Sequence, residues 1–383
     1  MIIWPTKKLG EVCSFISPGI KEFSGIKKYV ATADIDGTEI INSLDISYSD
    51  RPDRANIEVL EKDVLVARMA QTKKFLLANT KHKNNHIFST GFVVLRVHKD
   101  VDPSYLFYFL TSKDFNLQKD RLATGATQKA INNGELRKIQ IPLPPLEIQK
   151  QIVERLDKIA EAQKLNDGLI QKTDELFQSL LHKELNSVGK NWGVKKLDEI
   201  AKIIMGQSPP STSYNESGNG LPFFQGKADF GDLYPNTVKY CSAPSRIAEP
   251  EDILISVRAP VGDINLTKDK SCIGRGLAAI RGNNKIVEQM LLYFLFKKNE
   301  KNWQRQSTGS TFAAITKDKL TDYKIPMPPL DTQKQIVAKL SAVQDYKKQL
   351  LRQKAKLKEL FDSALAESMT SEKSRKMPEI LIK

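Results

Sequence analysis

Two stretches of almost the same thirteen residues decide how this chain is read: IPLPPLEIQKQIV at residues 141–153 and IPMPPLDTQKQIV at residues 325–337. A proline turn that opens a helix, with an acid near its positive end, is common. One copy would mean little. Two copies at an offset of 184 residues imply a duplicated architecture. The same offset carries Thr124-Gly125 onto Thr308-Gly309, Ala130-Ile131 onto Ala314-Ile315 and Glu175-Leu176-Phe177 onto Glu359-Leu360-Phe361. Upstream the match loosens but persists. YFL at 108–110 answers YFL at 293–295, and GFVVLR at 91–96 answers GLAAIR at 276–281. DVLVAR at 63–68 answers DILISVR at 252–258, which sets Arg68 against Arg258, and WPTKKLGEV at 4–12 answers WGVKKLDEI at 192–200.

The chain is therefore two tandem copies of one unit, each a globular part followed by a long helix. The boundaries read from the repeat are 1–145 and 188–329 for the globular parts, 146–187 and 330–370 for the helices, and a tail at 371–383 outside the repeat. Short β-branched runs bounded by turn residues, such as DVLVAR, GFVVLRV and DILISV, predict strands. PSYLFYFLTSKDFNLQ and VEQMLLYFLFKKNEKNWQ carry apolar residues at helical spacing. GQSPPSTSYNESGNG reads as loop. The fold class expected is α+β.

The long segments show a coiled-coil seam. In the second, Ile336, Val343, Leu350, Leu357 and Ala364 recur every seven residues, with Leu340, Lys347, Lys354 and Phe361 in the companion column. In the first, the same columns hold Ile152, Ile159, Asn166, Thr173 and Leu180, then Leu156, Gln163, Ile170 and Phe177. Gly168 in the middle of the first helix costs about 1 kcal/mol, and Gly189 is expected to stop that helix. If an internal twofold relates the units, the helices run antiparallel. Some forty residues then make a rod of roughly 60 Å. Such a rod could hold two domains on one duplex, whose turn is about 34 Å. Leu165, Leu169, Leu351 and Leu365 fall outside the seam columns, where they suit either local core or a partner protein.

Composition limits what the chain can be. Its 383 residues are 40% hydrophobic and 27% charged, as in ordinary globular proteins. No apolar run approaches the ~18 residues of a membrane span, and the N-terminal stretch lacks the apolar core of a secretory signal, so a cytoplasmic location with no membrane partner is expected. Cys13, Cys241 and Cys272 form no paired motif for zinc or a disulfide framework. His82 and His86 stand four apart in KHKNNH, but the intervening asparagine pair reads as a solvated loop with no third ligand nearby, so no metal is expected. The net charge of +14 suits a polyanion. It resides in the globular parts: residues 1–145 carry 21 basic and 16 acidic residues, and residues 188–329 carry 20 and 14. The first helical segment carries 6 and 8, the second 8 and 5, so the helices complement each other in charge.

TGATQKAINNGELRKIQIPLPPLEIQKQI, together with GQSPPSTSYNESGNGLPFFQGKADFG, ISVRAPVGD, CIGRGLAAIR, GSTFAAITKDKL and IPMPPLDTQKQI, resembles the specificity subunit of type I restriction–modification systems. The resemblance covers nearly the whole chain, duplication included. It implies two target-recognition domains joined by two long antiparallel helices that form a coiled coil. Each domain would read one part of a split, asymmetric site on double-stranded DNA. The helices would dock methyltransferase subunits, two in number, and restriction subunits. It implies no catalytic centre and no cofactor in this chain. S-adenosylmethionine, ATP and Mg would be used by the partners.

Other motifs carry less. GRGLAA at 274–279 matches a dinucleotide fingerprint, but that pattern should open a helix and its counterpart STGFVV reads as strand. SPPS at 208–211 has a serine where a methyltransferase loop needs an aromatic to stack on a flipped base. No G-x-x-x-x-G-K-S/T phosphate loop is present. Alternatives to a DNA-reading subunit are a self-contained nucleic-acid enzyme and a scaffold that holds nucleic acid loosely. Arg and Lys suit guanine edges, Asn and Gln suit adenine, and Lys, Ser and Thr suit phosphates. Polar loops with those residue types hold the candidates for DNA contact. In the first globular part these are Arg68, Gln71, Lys73, Lys74, Thr127, Gln128 and Lys129. In the second they are Gln207, Ser208, Gln225, Lys227, Arg258, Arg275, Ser310 and Thr311.

Overall fold

The computed structural model describes residues 4–125, 129–186, 190–305 and 314–369. It forms two compact units, one built from residues up to 167 with those from 352 onward, the other from 168 to 351. Thr6–Lys8 pairs antiparallel with Gln140–Pro142 in the first, and Gly193–Lys196 with Lys324–Met327 in the second. The duplicated WPTKK/WGVKK and IPLPP/IPMPP motifs thus meet each other as the ribbon that closes each globular part. A two-stranded ribbon is all edge, so it tolerates prolines that lack an N–H.

Each unit also holds a four-stranded sheet. Its order is Cys13–Ile16, Phe92–Val97, Val64–Ala67, Phe75–Leu77 in the first unit and Ala201–Met205, Leu277–Gly282, Ile253–Ser256, Ile264–Leu266 in the second. Alternate residues along a strand face opposite sides. Val64, Val66, Val93 and Leu95 join the core beneath the helices, while Leu65, Ala67, Phe92 and Val94 join a separate core on the other face. Ile253, Ile255, Ala278 and Ile280 against Leu254, Leu277 and Ala279 repeat this division. Burial on both faces is why these strands read as continuous apolar runs rather than alternating ones.

The second face is covered by a second sheet. In the first unit its order is Leu44–Ile46, Lys27–Val30, His86–Ser89, Ala55–Ile57, with the central pair parallel. In the second unit Leu221–Phe224 lies parallel to Ser271–Ile273 in the same way. The repeat thus extends to a layer whose sequences show no match. A buried acid ties strands together at the same point in both units. Arg96 donates twice to Asp63, both at 2.8 Å, and Arg281 does so to Asp252 at the same distances. The first residue of one duplicated motif and the last of another are therefore partners.

The two helical stretches of the globular parts each break. Pro103–Thr111 and Lys113–Leu122 part at Ser112, whose hydroxyl accepts from Phe115 N–H and caps the second helix. Gln289–Lys298 and Glu300–Arg305 part at Asn299. The long helices, Leu146–Glu184 and Leu330–Ser368, have 39 residues each. In the first unit Arg155 meets Glu367, Gln163 donates to Leu357 O and Lys354 meets Asp167. In the second, Lys347 meets Asp174 and Lys339 meets Glu184. Numbering rises along one helix as it falls along the other, so the pairing is antiparallel. Leu156, Ile159, Ile336, Leu340, Leu350 and Ala364 of the seam are buried, as are the polar Asn166 and Thr173. Leu365, placed outside the seam by its spacing, is buried in the first unit's core beside Ala364, whereas Leu165, Leu169 and Leu351 are exposed. The first helix ends before Gly189, which lies outside the described residues, as does the tail.

The glutamine kept in both copies of the opening motif locks each long helix to its globular part. Gln149 is wholly buried. Its amide oxygen accepts from Asp102 N–H at 2.8 Å, and its nitrogen donates to Asp100 O at 3.1 Å and Pro144 O at 2.8 Å. Gln333 accepts from Glu288 N–H at 2.8 Å and donates to Ile286 O at 3.1 Å and Pro328 O at 2.9 Å. One side chain joins the proline turn, the helix start and the loop ahead of the first globular helix.

Lys119 is a second buried polar residue, 0% exposed, with its Nζ on Thr72 O at 2.5 Å and 5.9 Å from the centre of the Phe75 ring. Burial pushes its pKa down from 10.5 to about 8, with Asp120 opposing and Lys73 adding to the shift.

Gln149→Leu keeps the volume but leaves three backbone groups without partners. It should cost the first unit about 2–4 kcal/mol in denaturant unfolding, as Gln333→Leu should cost the second. An unchanged midpoint would contradict the locking role. The depressed pKa of Lys119 means that the folded chain releases its proton while the unfolded chain still holds one. The penalty of burying its charge is full below pH 8 and gone above pH 10.5. The stability of the wild type relative to Lys119→Met should therefore rise between those pH values, by up to about 3 kcal/mol. A difference that stays flat across that window would reject the buried charge.

Candidate nucleic-acid interface

In the first unit, Arg68 closes the strand Val64–Ala67. Its N–H donates to Gly91 O at 3.1 Å and its carbonyl accepts from Ile131 N–H at 2.9 Å. The half-buried guanidinium donates to Asn133 Oδ1 at 2.8 Å, and burial lowers its pKa. The chain then turns through residues 69–74, bridging Met69 to Ala130. Ala70 N–H donates to Lys129 O at 2.9 Å, and Gln71 N–H to Asp120 Oδ1 at 2.8 Å. Lys74 Nζ donates to Thr32 O at 2.7 Å. Arg68, Gln71, Lys73 and Lys129 are thus gathered around one loop. Gln71, Lys73 and Lys129 are exposed there, while Lys74 is half-buried and engaged with backbone. Thr127 and Gln128 lie outside the described residues.

In the second unit three segments converge. Gly206 N–H donates to Leu277 O at 2.9 Å, Gln207 N–H to Ile273 O at 3.1 Å and Gly274 N–H to Phe224 O at 2.8 Å. A Cβ on Gly206 would lie 2.1 Å from Gly274 O, and one on Gly276 would lie 2.2 Å from Gln225 O, so the backbones approach as only glycine permits. The GRGLAA glycines serve this approach, and the segment runs into the strand Leu277–Gly282 rather than a helix. The convergence gathers Gln207, Ser208, Gln225 and Arg275, with Arg275 N–H donating to Ser208 Oγ at 3.4 Å. Gln207, Gln225 and Arg275 are exposed. Lys227 stands beside them but pairs with Asp263 at 2.8 Å. Ser310 and Thr311 lie outside the described residues.

Arg68 and Arg258 do not occupy matching positions. Val257 N–H donates to Gly276 O at 2.8 Å and its carbonyl accepts from Ile315 N–H at 2.9 Å, the two bonds that Arg68 makes with Gly91 and Ile131. Val257 is therefore the counterpart of Arg68. DILISVR is one residue longer than DVLVAR, so Arg258 falls one place later, where it is exposed. A one-residue slip reverses the side-chain face.

KHKNNH is not a loop. Thr80–Asn85 forms a helix, capped by Asn79 Oδ1 accepting from His82 N–H at 3.0 Å, and Asn79 N–H donates back to His82 Nδ1 at 3.2 Å. His86 is buried and stacks on Phe88. Burial first of all lowers the pKa of both imidazoles. Among the described residues no cluster of three or more metal-ligating side chains is present, and no helix is long and apolar enough to cross a membrane. All three cysteines are free and buried. Lys119 and Asp120, which hold the 69–74 loop, are absent from the sequence candidates. Their signal was faint: Lys119 follows Phe115 by four residues and so falls on the buried face of its helix.

The family model described as "Type I restriction modification DNA specificity domain" matches twice, over residues 1–173 and 189–359. The putative type I restriction enzyme MjaX specificity subunit of Methanocaldococcus jannaschii is 40% identical over 291 residues, 71% of this chain and 68% of the relative. The crystal structure of the HsdS subunit from Thermoanaerobacter tengcongensis is 35% identical, with a TM-score of 0.54 and 96% of each chain covered. A chain from a study of complex assembly and conformational transition in the type I R-M system is also 35% identical, with a TM-score of 0.68 over 96% of this chain and 97% of that one. The twofold family match falls on the same two copies that the motifs and the sheets define, and this chain belongs to the specificity subunits of type I restriction–modification systems.

Proposed function

We propose that this chain selects the DNA sequence on which a type I restriction–modification complex acts. Each globular part reads one half of a bipartite, asymmetric site on double-stranded DNA, and the paired helices set the spacer between the halves. The observation that carries this reading is that one architecture occurs twice while its polar surfaces differ. Ribbon, two sheets, acid–arginine pair and glutamine lock recur. The candidate contacts do not: a loop with Gln71, Lys73 and Lys129 in one unit, a glycine-lined convergence with Gln207, Gln225 and Arg275 in the other. Equal scaffolds with unequal surfaces suit two different half-sites. The positive balance of both globular parts suits the phosphate backbone.

The chain itself contributes recognition and no catalysis. The exposed Leu165, Leu169 and Leu351 on the long helices suit the docking of methyltransferase and restriction subunits. Those partners would use S-adenosylmethionine, ATP and Mg, in the cytoplasm.

One experiment with two arms tests this. Replacing residues 1–145 with the matching part of a relative, and sequencing the bases methylated by the reconstituted complex, should change one half-site and leave the other. A change in both would reject independent reading. Inserting four residues at matched points of both helices adds ~6 Å to each. It should lengthen the spacer by one or two base pairs, and an unchanged spacer would reject the helices as its determinant.

A further inference from the structure

Residues 70–74 form a loop that is exposed and yet held at four points. Lys129 O accepts from Ala70 N–H, Asp120 Oδ1 accepts from Gln71 N–H at 2.8 Å, Lys119 Nζ donates to Thr72 O at 2.5 Å, and Lys74 Nζ reaches back to Thr32 O at 2.7 Å. All four partners are distant in sequence, and one is a fully buried lysine. Buried polar anchors of this kind rigidify what they hold.

Gln71 sits at φ +59°, the left-handed region that residues other than glycine seldom adopt. Glycine would serve the backbone better there. What glutamine adds is a side chain, and that side chain is exposed and makes no hydrogen bond among the described residues. A strained residue kept in place by its surroundings, with its functional group turned outward, points to a role for that group. A free primary amide on a rigid loop matches the acceptor and donor pair that adenine presents in the major groove. Lys73, two residues on and likewise exposed, supplies a point charge for a neighbouring phosphate.

Resting on the reading of this chain as a DNA specificity subunit, we propose that residues 70–74 are the base-reading loop of the first globular part. Gln71 is its specificity-determining residue for an adenine-bearing base pair, and Lys119 and Asp120 are positioning residues that hold the loop in register.

The test uses the full chain in complex with its methyltransferase subunits, acting on a library of randomised duplexes whose methylated members are sequenced. Gln71→Gly suits the backbone and removes the exposed side chain with its amide, so its unfolding midpoint should not fall below that of the wild type. It should make one base pair of one half-site degenerate, with discrimination there falling roughly ten- to a hundredfold, and leave the other half-site untouched. Asp120→Ala should relax the same base pair, and Asp120→Asn, which keeps an oxygen to accept from Gln71 N–H, should restore it. A merely structural role would not discriminate at a single base pair. Wild-type stringency at every position in Gln71→Gly would overturn the assignment of Gln71. Equal stringency in Asp120→Ala and Asp120→Asn would overturn the positioning role. A wild-type complex with no split motif would overturn the reading beneath both, whereas a split motif that Gln71→Gly leaves intact would sink this inference alone.

Discussion

Everything in this molecule depends on how a globular part is fastened to a helix that must carry its orientation over many turns. The fastening is a buried glutamine whose amide satisfies one N–H and two carbonyls that no secondary structure reaches. Because the proline turn ahead of it has few soft dihedrals, and the amide fixes the first helical turn to the loop before it, the helix leaves the domain in one direction. A flexible joint there would let each globular part wander on its own helix. The duplication preserves this joint in both copies, down to the partners of the amide.

The long helices that start at these joints pair with each other in both units. Their seam is not uniformly apolar: Asn166 and Thr173 are buried in it, Gln163 donates to Leu357 O, and Lys347 and Lys354 of the seam columns reach Asp174 and Asp167. Polar seam residues weaken a coiled coil and fix its register. On the proposed function register matters, because a slip of one turn would displace what the helix carries by about 5 Å. The opposite charges of the two helices act in the same direction.

The sequence made the architecture legible where one chemical requirement repeats. The thirteen-residue motif, the strand runs and the heptad columns each follow from a local periodicity, and each appears in the structure. What escaped was non-local. The parallel pairing of Lys27–Val30 with His86–Ser89 joins segments nearly sixty residues apart with no shared pattern. Leu365 joins the core of the first globular part, which spacing along its own helix does not reveal. Arg68 and Arg258 were set against each other by a motif match that hides one extra residue, and only the ladder of backbone bonds shows the slip. At the candidate interface the loops could be found by composition, yet the residues that hold them, Lys119 and Asp120, lie on a helix almost fifty residues away.

On the proposed function, this duplicated chain holds two unlike readers of DNA. The bases methylated by the wild-type complex measure this most directly, read out by methylation-sensitive sequencing of DNA exposed to it. Two short, unrelated runs of specified bases separated by a constant number of unspecified ones are expected. A single unbroken run of specified bases, or two runs separated by a variable interval, would contradict it.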